Sequence, residues 1–312
     1  MGSVLITDDC HPILKEGLEK MGWRCDFLPD ITPAETLAAI GNYEGLVINS
    51  KILVNRPFLE VANKLRFVAR LGSGMEIVDR TCAAERGVKV WSSPEGNRNA
   101  VAEQALGMLL ALANNLIRGD REVKQNIWQR EVNRGWEIKG KTLGIIGFGH
   151  TGSQFARKLA GMEMEVLAYD KYKPSGFSAP MPWVKEASLE EIRLRSDIIS
   201  LHLPLTEETR AYVDTLFLQK CKKGLVLINT ARGLCVRTED LVVALESGQL
   251  GGACLDVFEN EKPFSFTENE KALYKRLHLL ENVVLSPHVA GWTHESKRLL
   301  AEVLLEKIAK GL

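Results

Sequence analysis

The stretch LGIIGFGHTG, residues 143–152, decides the fold of this 312-residue chain. An apolar run leads into three glycines with the spacing G-x-G-x-x-G, and a helical pattern follows over residues 153–159. In such a turn the first glycine permits a sharp bend, the second lets the backbone approach a diphosphate, and the third lets the helix lie close to the strand. The start of the helix favours a bound anion, so the stretch predicts a dinucleotide site. The predicted cofactor-binding loop consists of Gly147, Phe148, Gly149, His150, Thr151 and Gly152.

An acidic residue strengthens this prediction. Asp170 closes the next apolar run, VLAYD, 18 residues past Gly152. A carboxylate at the end of that strand accepts hydrogen bonds from the adenosine ribose hydroxyls and repels a ribose phosphate, which favours NAD over NADP. Lys171 and Lys173 follow directly, and we expect them to soften that preference. The competing interpretation is a glycine turn used only for packing.

Strands and helices alternate on both sides of this loop. In the first hundred residues, strands are predicted at 4–7, 45–49, 67–70 and 88–91, with helices at 12–21, 33–40, 56–62 and 77–86. The second series has predicted strands at 143–146, 166–169, 197–201, 225–229, 253–257 and 283–285. Such alternation is typical of a parallel sheet covered by helices, so the fold class is α/β with two domains. The turn-rich stretch 92–99 places a boundary near residue 98, and an apolar helix is predicted over 100–117.

Composition excludes several classes of protein. Forty basic residues balance forty acidic ones, giving a formal charge of zero, which argues against binding to nucleic acid or an anionic membrane. No apolar run is long enough to span a membrane, and the first residues lack the build of a secretory signal. Six scattered cysteines form no metal-binding pattern and are interpreted as reduced, mostly buried thiols. We therefore expect a soluble cytoplasmic protein without a metal.

Three chemically capable side chains follow later strands. Arg232 follows the predicted strand 225–229, Glu261 lies in the turn beyond strand 253–257, and His288 follows strand 283–285. Ligands of open parallel sheets bind beyond the carboxyl ends of the strands, so these residues are expected to converge on one crevice. Taken singly, each of them is more typical of a solvated surface residue.

Seven segments together resemble the D-isomer-specific 2-hydroxyacid dehydrogenase family, in particular its branch of D-3-phosphoglycerate dehydrogenases. They occur in the order and with the spacing of that family. These segments are residues 70–79, 96–103, 140–152, 196–206, 221–233, 253–258 and 286–288.

The resemblance implies hydride transfer between NAD and C2 of a 2-hydroxy or 2-oxo acid. It implies that Arg232 binds the substrate carboxylate, that His288 is the general acid and base, and that Glu261 orients its imidazole. The implied substrate loop contains Gly72, Ser73 and Gly74, and Lys51 follows the third strand. The resemblance further implies that His202 and Pro204 bind the cofactor, and that Thr230, Ala231 and Asp256 hold its nicotinamide amide.

The resemblance also revises the domain boundaries. It implies two Rossmann-like, doubly wound parallel-sheet domains. The substrate domain is discontinuous, with residues 1–98 plus 288–312, and the NAD-binding domain covers residues 99–287. The catalytic cleft is expected at their junction, where domain closure excludes water. A helix and arm at about residues 100–136 match the segment through which relatives pair, so a homodimer is expected.

The side chain of the substrate acid stays open. Candidates are D-3-phosphoglycerate, glycerate or hydroxypyruvate, glyoxylate and a lactate-like acid. Lys51 is the cation at the position where phosphoglycerate enzymes carry basic residues, and a lysine holds phosphate only as a point charge. Glu261 also departs from the family, because Lys262 separates it from the proline that usually follows at once. Alternative functions are an NAD-sensing, corepressor-like interaction protein and a catalytically inactive scaffold.

Overall fold

The computed structural model describes residues 2–312 and divides into two compact units. The first unit contains the chain up to Arg98 together with Trp292–Leu312, and the second contains Asn99–Gly291. His288, which was predicted to open the last segment of the substrate domain, therefore lies in the second unit. The substrate and cofactor roles of the two units stay predictions.

The first unit is a five-stranded parallel sheet with helices on both faces. Its strands are β1 Ser3–Ile6, β2 Arg24–Phe27, β3 Gly45–Ile48, β4 Phe67–Arg70 and β5 Lys89–Ser92, in the order β2-β1-β3-β4-β5. Its helices are α1 Ile13–Lys20, α2 Pro33–Ala39, α3 Arg56–Val61 and α4 Arg80–Glu85, and α12 His294–Gly311 returns to it. Separate apolar clusters cover the two faces of the sheet, because its central strands are apolar on both sides.

The second unit is a seven-stranded parallel sheet. Its strands are β6 Thr142–Ile146, β7 Glu165–Tyr169, β8 Val184–Glu186, β9 Ile198–Leu201, β10 Leu225–Asn229, β11 Leu250–Leu255 and β12 Val283–Leu285. The helices that precede or connect them are α5 Pro94–Ala113, α6 Leu116–Lys124, α7 His150–Lys158, α8 Leu189–Arg195, α9 Thr215–Gln219, α10 Thr238–Glu246 and α11 Glu268–Leu279. The first residues of α5 belong to the first unit. The strand order is β12-β11-β10-β9-β6-β7-β8, and apolar clusters cover both faces.

This strand order determines where a ligand binds. From β6 the chain winds outward through β7 and β8, then returns to β9 on the other side of β6 and winds the opposite way. The loops after β6 and β9 therefore diverge and leave a crevice at the carboxyl ends of the strands. The predicted fold class, two doubly wound parallel-sheet domains, is confirmed.

The structure corrects several predicted elements. β2 and β8 were missed, because both are edge strands without an apolar run. The stretch predicted as turns before residue 99 is helical from Pro94, which occupies the first turn of α5 and needs no N–H there. The helix predicted over 100–117 ends at Ala113, and Asn115, with a φ of 51°, starts α6 in a new direction.

Two further expectations concern burial and hydrophobicity. All six cysteines are buried, as predicted. Within residues 2–312, no single helix is long and apolar enough to cross a membrane, and α5 with α6 meets the length and composition criteria only as a pair bent by 63°.

Candidate active site

The glycine loop forms the base of the site at the end of β6. Gly147 turns the chain with a φ of 90°. A Cβ atom at Gly147 would lie 2.4 Å from the carbonyl oxygen of His202, and one at Gly152 would lie 2.0 Å from the carbonyl oxygen of Gly147. Any larger side chain at these two positions collides with backbone. At Gly149, by contrast, no atom lies within 4 Å of the position that a Cβ would take, so the backbone there borders open space.

Helix α7 begins inside the predicted loop rather than after it. His150 is its first residue, and Gly149 caps it without a side-chain hydrogen bond. The N–H groups of Thr151 and Gly152, which have no acceptor within the helix, lie in this first turn beside the open space at Gly149. Phe148 points into the core and is 1% exposed, whereas Thr151 is half-buried. This backbone cradle fits the diphosphate of a dinucleotide, because N–H groups and the helix dipole both stabilise negative charge.

Asp170 ties this cradle to the end of β7. Its Oδ2 accepts a hydrogen bond of 2.8 Å from the Phe148 N–H, and its Oδ1 accepts one of 3.0 Å from the Tyr172 N–H. Each carboxylate oxygen retains a further lone pair for a ribose hydroxyl. The carboxylate is thus placed beside the glycine loop, where a ribose follows a bound diphosphate.

The two lysines after Asp170 are engaged elsewhere. Lys171 Nζ lies 2.7 Å from Glu208 Oε2, and Lys173 Nζ donates to the Phe148 carbonyl oxygen at 2.6 Å. A 2′-phosphate would have to compete for both ammonium groups. These contacts agree with the preference for NAD that Asp170 predicts.

The other predicted cofactor-binding residues follow β9 and β10. His202 is buried against Phe155, and its Nε2 lies 2.9 Å from Ser200 Oγ. Burial lowers the pKa of His202 to about 3, so this imidazole is neutral. Pro204 is exposed, and its carbonyl oxygen accepts a bond from Thr209.

A buried hydroxyl marks the end of β10. Thr230 is 8% exposed, and its Oγ1 has no hydrogen-bond partner within residues 2–312. A buried polar atom without a partner is unfavourable unless a ligand or water satisfies it. Ala231, the next residue, is held by a bond from its N–H to Asn229 Oδ1 at 3.1 Å. The orphaned hydroxyl and the open glycine cradle both fit a dinucleotide cofactor.

Arg232 is held at the end of β10 by one hydrogen bond of its side chain and one of its backbone. Its Nη1 donates to the Ala231 carbonyl oxygen at 2.7 Å, and its carbonyl oxygen accepts from Asn229 Nδ2 at 3.0 Å. Gly233 then packs so closely that a Cβ there would lie 1.8 Å from the Phe258 carbonyl oxygen. This approach brings the loop after β10 against the loop after β11.

His288 and Glu261 form a direct pair. His288 Nδ1 lies 2.8 Å from Glu261 Oε2, and their side chains are 48% and 38% exposed. Partial burial raises the pKa of Glu261, but the hydrogen bond and charge of His288, the Phe258 N–H and the charge of Arg232 lower it more, so the net shift is downward. Glu261 is therefore ionised at neutral pH. Arg232, Glu261 and His288 follow three adjacent strands, β10, β11 and β12, and the structure brings them together.

Asp256 shapes the loop that carries His288. This carboxylate is fully buried and accepts hydrogen bonds from Ser286 Oγ at 2.5 Å, from the Val289 N–H at 3.0 Å and from the Ala290 N–H at 2.8 Å. His288, between them, has a φ of 55°, a conformation that non-glycine residues adopt at a cost. Asp256 thus positions the histidine, and its predicted contact with the nicotinamide amide stays a prediction.

The predicted substrate residues of the first unit follow its strands. Lys51 lies after β3, and its Nζ donates to the Pro29 carbonyl oxygen at 2.6 Å. Gly72 and Gly74 are buried and Ser73 is half-buried, in the loop after β4. Sequence reasoning missed Arg70, whose Nε donates to the Asn49 carbonyl oxygen at 2.9 Å beneath this loop. A basic residue closing the apolar run 67–70 was the available signal.

Sequence reasoning also missed Ser286. Ser286 directly follows β12, and its hydroxyl donates to Asp256 and accepts from Gln104 Nε2 at 3.3 Å. Its place directly before Pro287 and His288 was a usable signal. Within residues 2–312, no group of three or more His, Cys, Asp or Glu side chains is arranged to hold a metal ion.

Comparison with known proteins agrees with this geometry. The family model of the D-isomer specific 2-hydroxyacid dehydrogenase NAD binding domain matches residues 106–290. Hydroxypyruvate reductase of Thermotoga maritima is 36% identical over 278 residues, which are 89% of this chain and 88% of that protein. D-3-phosphoglycerate dehydrogenase of Archaeoglobus fulgidus is 33% identical over 308 residues, 97% of this chain but only 57% of that protein. The chain therefore spans a little over half the length of that second relative.

A solved structure gives the same result. D-lactate dehydrogenase from Aquifex aeolicus, complexed with NAD and lactic acid, superimposes with a TM-score of 0.83 at 26% sequence identity, covering 99% of this chain and 96% of that one. The family match spans more than half of the chain and includes the glycine loop, Asp170, Arg232, Glu261 and His288. The chain belongs to the D-isomer specific 2-hydroxyacid dehydrogenase family, and its second unit contains that family's NAD-binding domain.

Proposed function

We propose that this chain transfers a hydride reversibly between NAD and C2 of a small D-2-hydroxy or 2-oxo acid. The observation that carries the proposal is the 2.8 Å contact between His288 Nδ1 and Glu261 Oε2, next to the charge of Arg232. A proton donor, a group that orients it and a cation for a carboxylate thus follow adjacent strands of the unit that matches the NAD-binding domain. When bound, NAD supplies or accepts the hydride, and the chain's own residues handle the acid and the proton.

His288 exchanges the proton through its other ring nitrogen. The ionised Glu261 carboxylate can only accept a hydrogen bond, so Nδ1 carries a proton and Nε2 is left for the substrate oxygen. In reduction, the protonated imidazole donates from Nε2 to the oxygen at C2, and in oxidation the neutral imidazole removes that proton. The negative charge of Glu261 stabilises the imidazolium form.

Arg232 binds the substrate carboxylate. Its planar guanidinium matches a carboxylate with two parallel hydrogen bonds, which fixes the orientation of C2. Nη1 is already held by the Ala231 carbonyl oxygen, so the guanidinium has a defined direction before the substrate binds. The predicted substrate ligands of the first unit, Gly72, Ser73 and Gly74, stay predictions.

The substrate is one of the small acids that the sequence suggested. Relatives bear the names hydroxypyruvate reductase and D-3-phosphoglycerate dehydrogenase, and these differ in whether the acid carries a phosphate. Lys51, the cation predicted to meet a phosphate, donates to the Pro29 carbonyl oxygen instead. A single lysine that shares its ammonium with a backbone carbonyl lacks the two-donor fork of an arginine, so we favour an unphosphorylated acid such as hydroxypyruvate or glyoxylate.

Turnover of purified protein with NADH tests the proposal. Oxidation of NADH is measured with phosphohydroxypyruvate, hydroxypyruvate, glyoxylate and pyruvate, and NADH binding is measured by fluorescence. The His288→Ala variant should bind NADH normally and turn over about 10²–10⁴-fold more slowly. His294→Ala, which removes an exposed histidine at the start of α12, is the control. Binding of NADH without turnover of any acid would contradict the proposal and favour a sensor.

A homodimer completes the proposed assembly. α6 and the arm after it expose a set of large apolar side chains to solvent, and a contiguous exposed apolar patch is typical of an interface. Trp128 is 77% exposed. The set consists of Leu116, Ile117, Val123, Ile127, Trp128 and Val132. Light scattering should give twice the chain mass for the protein and a monomer for Trp128→Glu. The cytoplasmic location stays a prediction of the sequence.

A further inference from the structure

The loop that carries Glu261 is exposed and needs a support. Glu261 lies in the connection 256–267 between β11 and α11, and its side chain is 38% exposed. A glutamate in a free loop samples many rotamers, and holding one of them against His288 costs conformational entropy. A misplacement of about 1 Å at such a pair is enough to lower a rate by about a hundredfold. The position of the Glu261 carboxylate therefore depends on how the backbone on either side of it is held.

The preceding residue, Asn260, uses all of its hydrogen-bonding groups. Its N–H donates to the Tyr274 hydroxyl at 3.1 Å, and that hydroxyl donates back to the Asn260 carbonyl oxygen at 3.3 Å. The side-chain Oδ1 accepts from the Lys262 N–H at 3.0 Å, which bends the chain around Glu261. The side-chain Nδ2 donates to Glu270 Oε1 at 2.9 Å. Asn260 is thus bonded through both its backbone and its side chain.

The partners of Asn260 are themselves fixed. Tyr274 is 4% exposed, and its ring stacks on Phe266 with centroids 4.6 Å apart and planes at 9°. Glu270 caps α11, because its Oε2 accepts from the N–H and the hydroxyl of Thr267 at 2.7 and 2.8 Å. Both partners belong to α11, so the loop is attached to a helix whose own start is well satisfied.

We propose that Asn260 and Tyr274 are positioning residues that hold the backbone beside Glu261 so that its carboxylate meets Nδ1 of His288. The proposal rests on the proposed function, since it assigns these residues a part in turnover. The reason is geometric. Asn260 precedes Glu261 directly, Lys262 follows it, and Oδ1 of Asn260 closes the turn between them. The support replaces the rigidity that a proline directly after the glutamate would provide.

An exchange of charge between Asn260 and Glu270 tests the proposal. Asn260→Asp keeps the acceptor for the Lys262 N–H but places a second carboxylate opposite Glu270, and like charges repel. Adding Glu270→Gln restores a donor–acceptor pair with its direction reversed, keeps an acceptor for Thr267, and returns the total charge to that of the native protein. Tyr274→Phe removes the hydroxyl and keeps the stacked ring. Lys271→Ala, on the exposed face of α11, is the control.

We expect kcat with NADH and the best 2-oxo acid to fall about tenfold in Asn260→Asp and in Tyr274→Phe. NADH affinity should be unchanged in both. The double variant should recover kcat to within about threefold of the native value, as expected for coupled neighbours. In the pH dependence of kcat, the decrease at the acid end should move to higher pH in Asn260→Asp and return to its native position in the double variant. The charged groups that face Glu261 are His288 and Arg232, and neither is altered.

A readout without turnover accompanies the kinetics. The chain has six histidines, so the imidazole resonance of His288 is assigned by its absence from His288→Ala. It should shift in Asn260→Asp, return in the double variant and stay in place in Lys271→Ala. An unmoved resonance with unchanged kcat would overturn the proposal, even if the melting temperature fell. Full activity of Glu261→Gln and His288→Ala would instead overturn the proposed function, which separates the two failures.

Discussion

Replacing Glu261 with glutamine removes one negative charge and keeps the shape of the side chain. The amide oxygen of glutamine still accepts a hydrogen bond from Nδ1 of His288, so the orientation of the ring is retained. The imidazolium form loses its counter-charge, however, and this is the form that donates the proton in reduction. The expected effect is therefore a lower kcat for reduction with little change in NADH binding.

The size of this effect follows from the contact. A hydrogen bond to a charged group contributes about 1.5–3 kcal/mol. The side chains of His288 and Glu261 are 48% and 38% exposed, so solvent screening places the contribution near the lower end, about 1.5–2 kcal/mol. The glutamine amide keeps a neutral hydrogen bond, which contributes about 0.5–1.5 kcal/mol, so the net loss is about 1 kcal/mol. That free energy corresponds to a decrease in kcat of about fivefold.

The pH dependence has a defined sign. Partial burial raises the pKa of Glu261, and the hydrogen bond and charge of His288 lower it further than burial raises it, so its pKa lies below the ordinary value. The charge pair is present at neutral pH and is lost as the pH falls through that lowered pKa. The native enzyme should lose kcat at the acid end through this ionisation, and Glu261→Gln should lack that limb.

Steady-state reduction of hydroxypyruvate or glyoxylate over a range of pH measures both effects. Glu268→Gln is the matched control, because it neutralises an 88% exposed glutamate in the same part of the chain. The reasoning is refuted if Glu261→Gln retains the native kcat and the native acid limb while the fold is unchanged.

Three further predictions concern the cofactor site and its support. Asp170→Ala should lower the affinity for NADH by at least about tenfold, since it removes a charged acceptor, and should reduce the difference in affinity between NADH and NADPH. Equal losses of affinity for both cofactors in fluorescence titrations would contradict this prediction. Gly152→Ala should abolish NADH binding in calorimetry and lower the melting temperature, because its Cβ would lie 2.0 Å from the Gly147 carbonyl oxygen. Asp256→Asn places an amide NH₂ opposite a backbone N–H and should reduce the free energy of unfolding in urea by about 1–3 kcal/mol. We also expect kcat to fall, because His288 would shift. An unchanged urea midpoint would count against the role of Asp256.

The predicted elements failed where local preference and tertiary context differ. β2, Arg24–Phe27, contains Arg24 and Asp26, and one side of an edge strand faces solvent, so its pattern is not apolar. The residues before Asn99 favour turns when judged locally. They are helical instead because they pack against α12, where a Cβ at Gly96 would lie 2.6 Å from the Leu300 backbone nitrogen and Lys307 Nζ lies 2.8 Å from Glu95 Oε2. Neither outcome is readable from short-range periodicity.

The sequence predicted which residues form the candidate site, but it did not predict the contacts that hold them in place. Arg232, Glu261 and His288 each follow an apolar run, and the parallel topology places such positions at one edge of the sheet. The adjacency of β10, β11 and β12, however, depends on strand order, which the sequence does not state. The contacts of Asp256 with the His288 loop span more than thirty residues, and no local pattern indicates them.

The sequence by itself determined the strand–glycine–helix unit at residues 143–152 and the identity of the chemical groups. The reason is steric, because a turn that brings Cβ atoms to about 2 Å from a carbonyl oxygen admits only glycine, and this constraint is written in adjacent residues. Only the tertiary structure decided that Asn260 is clamped by Tyr274 and Glu270, that Asp256 holds His288 in a left-handed conformation, and that Lys51 turns to Pro29. These contacts join residues that the sheet and helices bring together, and their formation depends on packing rather than on spacing along the chain.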